Sequence, residues 1–298
     1  MISGSIRRRR LGPPAWLWLG CGLVAVFWWL AWFGPAPLSA HTFFPIWLGY
    51  ILIVDGLTYW RVGGSLLATD HARFGLLFVF SIPLWWLFEV ANRFLGNWEY
   101  VLPHPYPPLV YAMLASLAFS TVIPALFTTA TLLRTFPAFG RPRHWLRLAP
   151  SRRGLVFISL AGLVLVILAL GFPRVAFPLV WIGFFLLFDP VNRLLGNKSL
   201  AADVAERRWD TVLVLFAAGL ICGFFWEMWN WHSLPKWVYH IPYANQPTLF
   251  EMPLLGYGGY LPFALEVYAA YHLLHRAVFR RREPFLHLDH TSNESSVR

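Results

Sequence analysis

A chain of 298 residues with 58% hydrophobic side chains, 13% charged ones and a mean hydropathy of +0.54 is not an ordinary soluble domain, in which about a quarter of residues carry charge. Its 17 tryptophans point the same way, because Trp and Tyr concentrate where lipid meets water. The net charge of +10 invites a nucleic-acid partner. Most of the aromatics lie in the apolar runs and not in the basic loops, however, which argues against one.

The expectation is an all-α polytopic membrane protein. Residues 1–15 form a basic leader with Arg7 to Arg10. This cluster and the apolar run after it resemble a signal peptide. That run holds five tryptophans, and LSA before His41 is a poor cleavage site, so the first helix is expected to stay. Eight segments suit a crossing of about 17 to 25 residues: 16–33, 43–60, 74–95, 109–133, 154–171, 175–192, 211–231 and 253–275. With Arg7 to Arg10 in the cytoplasm, all Lys and Arg except Arg93, Arg174 and Lys236 fall on the cytoplasmic side (24 − 3 = 21), as the positive-inside rule requires. Both termini are therefore expected in the cytoplasm, and the compact, loop-poor design suggests a bacterial inner membrane. The richest loop, 134–153, holds six arginines and should meet anionic headgroups. Residues 276–298 read as a polar tail, with REPFLHLDHTSNESSVR (282–298) disordered.

Two stretches echo each other. LFEVANRFLGNWEYVLP (87–103) and FWEMWNWHSLPKWVYHIP (225–242) both carry Glu-x2-Asn, then Trp-x-Tyr-x2-Pro. Upstream, residues 47–66 align without a gap on 181–200, sharing Trp47/Trp181, Gly49/Gly183, Asp55/Asp189 and Ser65/Ser199. The alignment predicts two four-helix repeats, 16–133 and 154–275, in parallel orientation because four is even. Ser65 and Ser199 suit N-caps of short surface helices. Asp55 with Arg61, and Asp189 with Arg193, suit ion-pair anchors. In the last span Pro253, Gly256, Gly258, Gly259 and Pro262 predict a break; Pro262 matches Pro124, while Glu251 and Glu266 face Met113 and Thr128.

Candidate site residues follow from the cost of polar groups at membrane depth. Glu89/Asn92 and Glu227/Asn230 lie three apart, each pair on one helical face. Their glutamates sit at the negative ends of helices beside Trp86, Trp226 and Trp229, which predicts either a retained proton or a dedicated donor. The pseudo-symmetry suggests reciprocal Glu89–Asn230 and Glu227–Asn92 bonds. Three readings stay open for these pairs: packing between repeats, simple surface exposure, or a pocket with Glu227 as proton donor or acceptor, walled by Trp98, Tyr100, Trp226, Trp237 and Tyr239. Glu251 suits the start of the last helix, as a cap or at the pocket rim. Glu266 is flanked by Leu265 and Val267 in mid-span and is the leading functional candidate. His272 and His275 have no clear third ligand, so no metal is expected, and no cofactor motif occurs. Cys21 and Cys222 fall in spans and imply no disulfide framework. Nothing fixes an oligomeric state.

The residues Glu89, Trp98 and Tyr100, with Glu227, Trp237 and Tyr239, give a motif that resembles the small integral-membrane carotenoid cyclases and hydratases of bacteria. Those proteins are helical, carry intramembrane glutamates and show a Trp-x-Tyr run after a polar helix end; here PLWWLFE (83–89) stands where the cyclases have Pro-x-Glu-Glu. The resemblance implies an isoprenoid or lipid substrate and acid–base chemistry on it. Glu227 or Glu266 would then handle the proton and Asn230 orient the acid. A carrier that rocks about Glu266 and a membrane scaffold subunit are the alternatives.

Overall fold

A backbone in lipid has no water to bond to, so each apolar run must close its own hydrogen bonds, and helices do this. The computed structural model describes residues 12–141, 143–243 and 246–288, and about 70% of these described residues are helical. Among the described residues six helices are long and apolar enough to cross a membrane. They are α1 (Ala15–Phe33), α3 (Phe43–Val62), α5 (His71–Leu95), the pair α6 (Pro108–Phe119) and α7 (Val122–Arg134), α8 (Arg152–Gly171) and α12 (Asp210–Trp231). Between them lie the short helices α2 (Ala36–Ser39), α4 (Leu66–Thr69), α9 (Pro173–Ala176) and α11 (Leu200–Ala205). Two further long helices complete the bundle. One is α10 (Leu179–Leu194), only 16 residues; the other is α13 (Tyr260–Phe279), which carries Glu266, His272, His275 and Arg276.

Helices α1 and α3 cross where Gly20 meets Gly49, and α8 and α10 cross where Gly162 meets Gly183. A Cβ on Gly20 would lie 2.6 Å from the Gly49 carbonyl oxygen, and one on Gly162 2.8 Å from that of Gly183. Without a hydrophobic force between helices in lipid, such close backbone approach is what holds them.

One end of the bundle is rich in arginine and carries α4 and α11. Ser65 and Ser199 cap these helices, each Oγ accepting from an amide three residues on at 3.2 Å. The expected Asp–Arg anchors are corrected here. Asp55 accepts from Ser65 Oγ at 2.7 Å and Leu67 N at 3.1 Å, and Asp189 from Leu200 N and Ala201 N, both at 2.8 Å. Arg61 instead reaches Thr135 Oγ1 at 2.8 Å and covers the Phe136 ring, and Arg193 is exposed. The unpaired amides of a helix start claim a buried carboxylate ahead of an arginine that water already satisfies.

The tail is also corrected. Phe285, Leu286 and Leu288 are buried, Glu283 accepts from the amides of Phe285 and Leu286, and Lys198 Nζ donates to the Leu286 carbonyl. Three apolar side chains within four residues outweigh the polar composition. His290 and the chain after it, like Arg7 to Arg10, lie outside the described residues.

At the other end α5 and α12 run into two short strands, β1 (Trp98–Val101) and β2 (Lys236–Tyr239), which pair antiparallel with Trp98 opposite Tyr239 and Tyr100 opposite Trp237. A second small ladder joins β3 (Thr248–Leu249) to β4 (Met252–Pro253), and a 3-10 turn over Leu254–Gly259 leads into α13. The last helix therefore begins at Tyr260 and not near residue 253, because the Pro253 and Gly256–Gly259 stretch cannot sustain helical bonding. Glu251 consequently caps no helix; it ion-pairs with Lys236 Nζ at 2.6 Å.

Candidate functional site

The two Glu-x2-Asn turns place a carboxamide where the chain leaves its helix and turns into a strand. Asn92 Nδ2 donates to the Trp98 carbonyl at 2.7 Å, and its Oδ1 accepts from Asn97 N at 2.9 Å. Asn230 repeats this, with Nδ2 to the Trp237 carbonyl at 2.7 Å and Oδ1 from Trp237 N at 2.8 Å. Each asparagine therefore fastens its own strand. The expected reciprocal Glu89–Asn230 and Glu227–Asn92 bonds do not form, because each asparagine is turned to the backbone of its own strand.

Each glutamate turns to the aromatics of its own half. Glu89 Oε1 accepts from Trp85 Nε1 at 2.9 Å, Trp98 Nε1 at 3.2 Å and Tyr100 Oη at 2.6 Å. Glu227 Oε1 accepts from Tyr239 Oη at 2.7 Å and Tyr260 Oη at 2.6 Å, while Trp237 Nε1 donates to Tyr239 Oη at 2.9 Å. Glu227 is fully buried, and its Oε2 has no partner. Glu89 is half-buried. Burial, and then the neighbouring glutamate charge, raise both the Tyr239 and Tyr100 hydroxyls well above the usual phenol range, so both phenols remain donors across the neutral range.

Between these centres lies a cavity of about 550 Å³ at the strand-bearing end. Trp98, Tyr100, Trp226, Trp237 and Tyr239 line it, as do Trp85, Tyr260 and Phe263. Glu89, Glu227, Asn92, Asn230 and Glu251 are not part of that lining; Glu89 and Glu227 bond to lining side chains, and Glu251 pairs with Lys236, which lines it. Aromatic rings tile the wall: Trp226 stacks on Tyr260 at 5.9 Å, and Phe263 meets Trp85, Trp181 and Trp226 at about 6 Å. Glu266 is fully buried with neither oxygen bonded, apart from the cavity lining. His272 is buried with both ring nitrogens unbonded, beside the Tyr268 ring, and His275 contacts Phe279.

Tyr260 was not legible as a site residue, yet a signal existed. Four residues before Glu89 stands Trp85; four before Glu227 stands Gly223. A Cβ on Gly223 would lie 2.4 Å from the Tyr260 ring. The missing side chain is the space through which Tyr260 reaches Glu227.

These helices and their aromatic ends define an all-α, multi-pass membrane protein. Comparison with family models, curated proteins and solved structures found no match.

Proposed function

We propose that this protein is an enzyme that performs acid–base chemistry on a hydrophobic, isoprenoid-like or lipid molecule held in the aromatic cavity. The observation that carries the reading is the Glu227–Tyr239–Tyr260 cluster set behind an otherwise apolar wall. Binding cavities of this size, largely apolar with a few convergent polar groups, are the usual form of a small-molecule site. The topology that goes with this reading is eight crossings, with α10 and α13 as the sixth and eighth. They form two parallel four-helix units with both termini in the cytoplasm of a bacterial inner membrane.

The chemistry is balanced without a co-reactant. With Glu227 protonated, Oε1 donates to Tyr260, whose hydroxyl hydrogen turns to the cavity. A substrate double bond takes that proton as the phenol oxygen takes the one from Glu227. The π electrons form the new C–H bond, and a carbocation remains among ring faces that attract cations. Loss of a proton from an adjacent carbon through the same phenol returns Glu227 to its protonated form and leaves a shifted double bond or a closed ring. General acid catalysis of this kind contributes roughly 10² to 10⁴-fold.

A carrier that opens towards the strand-bearing end would have to part β1 from β2, the backbone ladder that ties the two halves across the cavity. That ladder favours a fixed pocket. The test is to purify the protein in mild detergent from its own membranes, then extract it for mass spectrometry and an absorption spectrum. Glu227→Gln and Tyr260→Phe, matched for folded yield, run alongside. A co-purifying polyene or lipid whose structure changes in both variants is expected; no bound lipid in any form, or an unchanged one, would overturn the reading.

A further inference from the structure

The segment 143–151 lies outside the chemistry described above. It leads into α8 at the arginine-rich end and is pinned flat over α11. Trp145 N donates to the Arg207 carbonyl at 3.0 Å, Leu148 N to that of Val204 at 3.1 Å and Arg147 Nε to that of Ala205 at 3.1 Å. Trp209 Nε1 donates back to the Leu146 carbonyl at 2.7 Å. Fixing the backbone this way leaves three large apolar side chains outside: Trp145, Leu146 and Leu148 are 72%, 60% and 44% exposed. Such side chains in a row, on a held backbone, are costly in water.

Charge surrounds them. Arg143, Arg147, Arg152 and Arg153 are all exposed. The nearby acids are already taken, since Arg208 holds Asp203 at 2.6 Å and Glu206 at 3.1 Å. Among the described residues none of the four arginines has an ion-pair partner. Arg134, the first of the six arginines of 134–153, is drawn inward onto Asp210 at 2.8 Å and does not share the surface. The segment adjoins the first turns of α8 and α12, both membrane-crossing helices, so it sits at the depth where headgroups lie.

We infer that residues 143–153 form a docking surface for anionic phospholipid: Trp145, Leu146 and Leu148 enter the acyl–headgroup boundary, and Arg143, Arg147, Arg152 and Arg153 bind the phosphates. Apolar burial plus attraction to anionic lipid is the physics of interfacial segments. Arginine is suited to the phosphate by its planar fork of donors.

The test uses the full chain in vesicles of phosphatidylcholine alone or mixed with phosphatidylglycerol. A Cys21→Ser, Leu146→Cys protein carries an environment-sensitive label at 146, Cys222 being buried. The expected result is quenching by bromine on the lipid acyl chains and protection from iodide, stronger in the anionic vesicles. Native mass spectrometry of the same preparations should show retained phosphatidylglycerol, and Arg152→Gln with Arg153→Gln should lower its enrichment more than tenfold. A label open to iodide in both vesicle types, or enrichment unchanged in the double variant, would overturn the assignment. Displacement of the lipid by duplex DNA at physiological salt would also overturn it, in favour of nucleic acid.

Discussion

On one side of the cavity Glu89 is half-buried and takes three donors on a single oxygen, two indoles and a phenol. On the other, Glu227 is fully buried, takes two phenols and keeps Oε2 unbonded. The backbones around them are alike: each asparagine fastens a strand, and the strands pair with one another. What differs is one exchange. Trp85 fills the position four before Glu89, whereas Gly223 leaves that position empty and Tyr260 of α13 fills the space. The position aligned with Tyr260 in the first half is Val122, which has no hydroxyl. A shared scaffold thus yields one half-buried carboxylate held by two indoles and one cavity-lining phenol, and one buried carboxylate held by two cavity-lining phenols.

The largest effect expected from this contrast is chemical. Glu227→Gln should lower turnover of the co-purified substrate by roughly 10² to 10⁴-fold, with Glu89→Gln within about tenfold of wild type. Quantifying product per folded protein checks it, and equal losses would erase the distinction between the sites. The asparagines should instead behave alike. Asn92→Ala and Asn230→Ala each strand buried backbone groups and should cost about 2–4 kcal/mol, read from thermal unfolding in detergent. A large loss at only one site would mean that the two turns do not share a structural role.

A smaller and more local effect is expected at the exchange itself. Gly223→Ala forces the Tyr260 ring aside and should cost about 1–3 kcal/mol as overpacking. It should also cut turnover, whereas Trp85→Phe keeps an aromatic ring near Glu89 and removes one bond of about 1 kcal/mol. If Gly223→Ala is silent in both stability and turnover, Tyr260 does not depend on that space. The smallest effect concerns pH. The Tyr239 hydroxyl is raised by burial first and the Glu227 charge second. Its contribution is therefore complete below the ordinary phenol pKa of about 10 and declines as pH rises beyond it. Tyr239→Phe should flatten that alkaline decline in unfolding temperature, and an unchanged decline would assign it to other groups.

Much of the architecture could be read from the residues because lipid imposes a simple rule. Apolar runs must be helical, so the starts and ends of α1, α3, α5, α8 and α12 fall within about three residues of their hydrophobic limits. Ser65 and Ser199 could likewise be recognised as caps, since capping is a local geometry. Partners across the bundle could not. Asp55 and Asp189 were matched to sequence-near arginines, yet the nearest unsatisfied donors proved to be helix amides ten or more residues away. The residues 282–288 read as polar by composition, yet three side chains find an apolar seat that only the assembled bundle provides.

The sequence by itself determined that the chain is helical and membrane-embedded, that two turns carry Glu-x2-Asn before Trp-x-Tyr, and that Glu227 and Glu266 are acids at apolar depth. Those are properties of period, length and composition. Only the tertiary structure decided that Glu227 joins Tyr239 and Tyr260 behind a cavity wall, that Glu89 is held by two indoles and the Tyr100 phenol, and that Glu266 stands apart. Each outcome depends on a contact between separate helices and strands, through space such as that at Gly223, and the pattern along one helix does not encode which distant side chain fills it.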